Sequence, residues 1–193
     1  MLKRVFLTGV LVLALGICLP AHADSITYTA ILNGANEVPP HAVPGTGTAT
    51  FVLTGDSLFI DLTFSNLTAP PVAGHIHCCA PVGVTAPVAV PFLGLPNAIS
   101  GTYNNTVDLT LAGTYTSDFI TNSGGTVADA EAALISALNS GNTYANLHTP
   151  QFPGGEIRGQ IAVVTPEPNS FLLLGTGLVG LVETLRRRAR TSL

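Results

Sequence analysis

Two histidines and two cysteines crowd into Gly74-His75-Ile76-His77-Cys78-Cys79, in a chain that holds only 5 histidines and 3 cysteines. A third histidine, His148, lies in Tyr144-Ala145-Asn146-Leu147-His148-Thr149. On an extended strand alternate side chains share a face, so His75 and His77 project together, roughly 7 Å apart, while Ile76 turns into a core. Asn146 and His148 share a face by the same rule, with Leu147 opposite. If the two strands are neighbours, three imidazoles converge on a region that one metal ion could fill, since such an ion takes nitrogen at about 2.0–2.1 Å. Copper or zinc is the ion expected there, with His75, His77, His148, Cys78 and Cys79 as candidate ligands. The default reading is structural, with histidines hydrogen-bonded to loop backbone and no ligand; the metal reading is the alternative.

Cys78 and Cys79 are adjacent, and neighbouring Cα atoms lie about 3.8 Å apart, closer than ordinary disulfide geometry wants. Three arrangements stay open: a vicinal disulfide, bonds to another chain, or metal thiolates. Other chemistry is scarce. There is no G-x-S-x-G, and no glycine-rich turn is followed by a helix and lysine that could cradle phosphate. Asp129 and Glu131 fall on a helical segment and read as solvated carboxylates. An enzyme is therefore not the expected reading, and a metal or redox activity is the minority one. Arg158 is expected in a structural ion pair with Glu156, two positions away on the same strand face, or with Glu37; a bidentate arginine pair would pin distant segments together.

The elements that must position these residues are mostly strands. Ser25 to Leu32, Gly45 to Leu53 and Ser57 to Ser65 alternate apolar and polar residues, and Thr54-Gly55-Asp56 between the last two predicts a β-hairpin. Short strands are expected over Val72 to Cys78, Val88 to Phe92, Ile99 to Tyr103, Val107 to Leu111, Thr143 to Thr149 and Glu156 to Val164. Pro91 puts Val88 to Phe92 at an edge or a bulge, and Pro150 to Gly155 reads as the loop between the last two strands. One segment is helical: Val127, Ala130, Leu134 and Leu138 form a stripe, Thr126 with Asp129 makes a capping-box-like start, and Gly141 stands past the end. Such spacing predicts a mainly β fold, a β-sandwich with one short helix packed across its end.

Both ends of the chain read as targeting segments. Lys3 and Arg4, the apolar run Val5 to Leu19, and Ala21-His22-Ala23 ahead of Asp24 have the form of a secretory signal peptide over residues 1–23, with Ala21 and Ala23 marking cleavage. The order Pro166-Glu167-Pro168, a short apolar run from Phe171 to Val182, and the cluster Arg186, Arg187, Arg188 and Arg190 resembles the PEP-CTERM sorting signal of bacterial exported proteins. This resemblance implies recognition by a membrane exosortase over residues 165–193. It also implies a hydrophobic C-terminal helix in the membrane before processing, and delivery to the cell surface or extracellular matrix. Retention as a membrane anchor is the competing outcome; Glu183 inside an extended span would be costly.

Between these segments, residues 24–164 are enough for one domain with one core. Nine acidic residues there face a single basic one, Arg158. Such a surface repels phosphate backbones and excludes nucleic acid as an expected partner.

Three motifs in order resemble the CHRD domain family, first described in chordin: Leu32-Asn33-Gly34-Ala35-Asn36-Glu37-Val38-Pro39-Pro40, then His75-Ile76-His77, then Tyr144 to Thr149 with Pro153-Gly154-Gly155-Glu156-Ile157-Arg158-Gly159-Gln160. The resemblance implies an immunoglobulin-like, Greek-key antiparallel β-sandwich in an extracellular domain with no established catalytic activity. Cys78-Cys79 departs from the family pattern. The expected function is thus a non-enzymatic, exported surface or matrix protein that meets signal peptidase, exosortase, and an extracellular polysaccharide or surface protein. The alternative is a copper- or zinc-binding or redox protein built on the His-x-His-Cys-Cys cluster. It is similar to copper-zinc superoxide dismutases at the level of fold alone; His41, His75, His77 and His148 are too few for their two-metal set.

Overall fold

The computed structural model describes residues 24–164 and 178–179. The expected leader with Ala21 and Ala23, and the Pro166-Glu167-Pro168 and Arg186-Arg187-Arg188 motifs, lie outside the described residues. Among the described residues no helix is long and apolar enough to cross a membrane.

Alternation in the sequence becomes alternation in burial. The strands are β1 (Ser25–Asn33), β2 (Thr46–Thr54), β3 (Ser57–Ser65), β4 (Ala73–Cys78), β5 (Val88–Pro91), β6 (Gly101–Asp108), β7 (Thr143–Thr149) and β8 (Phe152–Val163). Tyr28, Ala30 and Leu32 of β1 are buried, as are Ala49, Phe51 and Leu53 of β2, and Leu58, Ile60, Leu62 and Phe64 of β3. Register stacks them in rows, Tyr28 opposite Phe51 and Phe51 opposite Ile60. Each fully buried leucine, isoleucine or phenylalanine among them contributes about 1.5–3 kcal/mol relative to exposure. Threonines at 27, 29, 48, 50 and 63 take the outward positions between them.

All pairings are antiparallel, in the order β5-β4-β7-β8-β1-β2-β3-β6. The two ends of that order come together: Phe92, just past β5, stacks on Tyr103 of β6 at 5.3 Å between ring centroids. The sheet is therefore curled over a single core, and the two layers expected of a sandwich are halves of one continuous sheet. The expected mainly β, antiparallel architecture holds. Two helices attach to it, α1 (Ser117–Asn122) and α2 (Val127–Asn139). In α2 the expected stripe is buried at Ala130, Leu134 and Leu138. Thr126 accepts from Asp129 N and donates to its carboxylate, as the capping reading required.

Three expectations are corrected. Segments 99–103 and 107–111 are not separate strands; β6 runs unbroken through Asn104-Asn105. It is an edge strand, so its asparagines and threonines can face solvent while Tyr103 alone is buried. The loop expected over Pro150 to Gly155 shrinks to Pro150-Gln151, because β8 already begins at Phe152. And α1 was not expected; it is a single short turn of helix capped by Thr116.

Gly159 shows how tightly β1 and β8 meet. A Cβ there would lie 2.6 Å from the backbone oxygen of Ile31 and 2.8 Å from its carbonyl carbon. Backbone cannot yield as a flexible side chain can, so Gly159→Ala must push β1 away. We expect a loss of about 1–3 kcal/mol, read as a lowered melting temperature. An unchanged melting temperature would show that β1 shifts freely.

Candidate metal centre

The site is built on the outward face of β4 and β7. Their ladder sets His75 opposite Asn146 and His77 opposite Tyr144, with Ala73 opposite His148. Ile76 is fully buried, so the alternation turns His75 and His77 the other way. His148 sits diagonally from His75 across the pair and its Nε2 lies 3.2 Å from His75 Nδ1. Ring centroids are 5.5 Å apart for His75 and His77, and 5.0 Å for His75 and His148. One ligand nitrogen from each of the three lies within 4.8 Å of the others.

Backbone carbonyls set two of the tautomers. His77 Nδ1 is 2.8 Å from the oxygen of Ala86, and His148 Nδ1 is 2.9 Å from that of Pro153. A carbonyl only accepts, so both rings carry their proton on Nδ1 and present an Nε2 lone pair. For His148 that lone pair faces His75. For His77 it is buried and has no hydrogen-bond partner. Histidines that ligate metals are held in this way, with the second nitrogen donating to a carbonyl or carboxylate.

Electrostatics keep the rings neutral. Burial, and secondarily the neighbouring His148 and His77, lower His75 to about 4. Burial also lowers His77 to about 4, against the opposing bond to Ala86 and with help from His148 and Arg158. Burial lowers His148 too, opposed by its bond to Pro153. Neutral imidazole is the form that binds metal.

The other expected site residues separate from this group. Cys78 and Cys79 are bonded to each other as a vicinal disulfide, one of the three open arrangements, so neither offers a thiolate in this state. Cys78 is buried in the core with Ile76, on the face opposite the histidines. Arg158 forms no ion pair with Glu156. Regular pairing of β8 ends at Leu147 opposite Ile157 and resumes only at Thr149 opposite Phe152, so Glu156 lies in the irregular stretch and its carboxylate is engaged elsewhere. Glu156 instead accepts from Thr68 N at 2.8 Å, Thr68 Oγ1 at 2.6 Å and Thr149 Oγ1 at 2.7 Å. Nor is Arg158 bonded to Glu37, although its charge is close enough to act on it. It donates to the Val84 oxygen at 2.8 Å and lies 3.4 Å above the Tyr144 ring. Glu37 accepts from Asn146 Nδ2 at 2.6 Å, and burial raises its carboxyl to about 7. His41 lies apart from the three, stacked on Phe152 at 4.6 Å.

Sequence reasoning missed Tyr144. Its ring stacks on His77 at 4.5 Å and 5°, and Arg158 covers its other face. The Ala86 amide donates to its hydroxyl at 3.1 Å, so the backbone of one residue holds both His77 and Tyr144. Nothing in the residue pattern of the 79–87 loop marks that role, since only backbone atoms act.

Residues 28–161 match the family model of the CHRD domain. No curated protein and no solved structure matches the chain.

The histidine group makes the metal-free protein acid-sensitive. Its folded values lie below the ordinary 6.5, so the stability it contributes is present above 6.5 and lost as pH falls through about 4. Glu37 acts oppositely: raised from 4.5 to about 7, it favours the fold most at low pH. Lowered histidines outnumber it, so the melting temperature should fall between pH 6.5 and 4.5, and fall less in His77→Phe. A flat profile in the unaltered protein would contradict the neutral assignment.

Proposed function

Since the chain belongs to the CHRD domain family, we propose that it is an exported binding module that holds one copper or zinc ion through His75, His77 and His148. A CHRD domain is consistent with a non-enzymatic extracellular binding or structural role. The observation that carries the metal reading is His77 Nε2, a buried lone pair with no hydrogen-bond partner, on a ring that has a nitrogen within 4.8 Å of one from each of His75 and His148. A purely structural role accounts for the bond from His77 to Ala86 and for the His75–His148 contact, but leaves this atom unexplained. Two nitrogens around a tetrahedral metal are spaced ~3.3 Å, close to the 3.2 Å between His75 and His148. Three neutral imidazoles without a carboxylate or thiolate suit zinc or copper better than magnesium or calcium.

The setting is the cell surface or extracellular matrix. Residues 1–23 would direct export, and the segment from Pro166 to the terminus would direct exosortase sorting, with passage through the membrane before processing. The outward face of β1, β2, β3 and β6 supports a matrix role. Exposed Thr29, Thr48, Thr63 and Thr102 leave it hydroxyl-rich and nearly uncharged, fitted to an extracellular polysaccharide or a surface protein.

Protein purified without an affinity tag should bind about one equivalent of Cu2+ or Zn2+ by calorimetry and elemental analysis. His77→Ala and His148→Ala should weaken binding about 10-fold or more, while His41→Ala leaves it intact. Absence of stoichiometric binding of either ion would end the metal reading. Removing residues 166–193 should abolish surface delivery in cell fractionation; unchanged delivery would remove the sorting assignment.

A further inference from the structure

Glu37 and Arg158 bring opposite charges into one cleft without meeting. The cleft, of about 400 Å³, lies between the 35–40 segment, the Val82-Gly83 turn and β8, and both side chains line it. Each is almost completely buried, Arg158 at 2 % exposure and Glu37 at 6 %. Buried charges are ordinarily paired, because an unpaired one carries a desolvation cost that nothing offsets. Here neither has a charged partner among the described residues. Of its five N–H donors Arg158 spends one on the Val84 oxygen, and its π face rests on Tyr144. Glu37 has the Asn146 amide, a neutral donor. Burial raises its carboxyl to about 7, offset only in part by the Arg158 charge and the Val38 backbone N–H.

The position of Glu37 is not accidental. Gly155 stands at φ 127, and a Cβ there would come within 2.6 Å of the Glu37 carboxylate. The chain thus keeps a residue without a side chain where the acid needs room. Asn146, buried opposite Arg158 in the ladder, holds that acid while its own Oδ1 has no partner.

We propose that this cleft binds a free α-amino acid as its zwitterion, the carboxylate on Arg158 and the ammonium on Glu37. A zwitterion supplies both missing counter-ions at once. A simple anion would satisfy Arg158 but crowd Glu37, and would approach against nine acidic residues. A simple cation would leave Arg158 as it is. Ala35, Val38, Pro40 and Val82 give the cleft an apolar side that suits a small aliphatic side chain, with the amides of Asn36 and Gln160 on the remaining lining. This assignment is independent of the metal centre, from which the cleft is separated by the Tyr144 ring.

The test compares L-leucine with its two truncated analogues, 4-methylpentanoate without the amine and 3-methylbutylamine without the acid. They are titrated into the tag-free protein by NMR or calorimetry, with and without EDTA. Leucine should saturate at about 1 mM or below, and each analogue should bind about ten-fold more weakly or not at all. EDTA should leave these results unchanged. Glu37→Gln, which keeps the acceptor for Asn146, should lose about ten-fold for leucine and nothing for 4-methylpentanoate, at an unaltered fold by circular dichroism. Equal binding of leucine and 4-methylpentanoate would overturn the proposal, as would saturation by none of the three.

Discussion

Everything chemical in this domain depends on the antiparallel ladder that β7 makes with β4 on one side and β8 on the other. It sets His77 beside Tyr144 and Asn146 beside Arg158. A strand's side-chain period is two, so a slip of one residue in either pairing would send the histidines into the core and Ile76 and Leu147 into solvent. The apolar face prevents that slip. Ile76, Ala145, Leu147 and Ile157 are all fully buried, and the hydrophobic free energy that fixes the register also fixes the polar constellation on the other face.

The remaining buried polar groups follow a different rule. They join segments far apart in sequence where the curled sheet would otherwise have loose ends. Glu156, fully buried, gathers Thr68 and Thr149, and so ties the stretch after β3 to the β7–β8 turn. Glu37 reaches Asn146 across 109 positions of chain. The first and last of the three family motifs are thus in contact, with Gly155 making the room. A carboxylate in such a place is costly when a bond is missing, since burial leaves it no water to fall back on.

How much of this was legible in the residues depended on whether side chains or backbone did the work. Alternation is a side-chain property, and it placed the hairpin, β1, β4, β7 and the α2 stripe. The histidine convergence followed from two i, i+2 patterns once the strands were taken as neighbours. The Arg158 pairing was misread because it assumed a regular strand from Glu156 to Arg158, whereas Glu156 falls in the stretch where the β7–β8 register shifts. The two strands expected over 99–103 and 107–111 are one because asparagine, depleted in strands, is tolerated at 104 and 105 on an edge strand with one face in water. Tyr144 was passed over because its importance comes from what stacks on either side, and stacking across three strands leaves no mark in local spacing.

The 79–87 loop has a consequence of its own. Ala86 O meets His77, Ala86 N meets Tyr144, and Val84 O meets Arg158; none of these contacts uses a side chain of the loop. For these three contacts residue identity is therefore under little chemical constraint, unlike Cys79 in its disulfide and Val82 in the cleft, while loop length is under a great deal. Related chains could vary Val84, Thr85 and Ala86 and keep these contacts, whereas a single insertion or deletion would unseat all three groups together. In this segment, function is encoded in spacing.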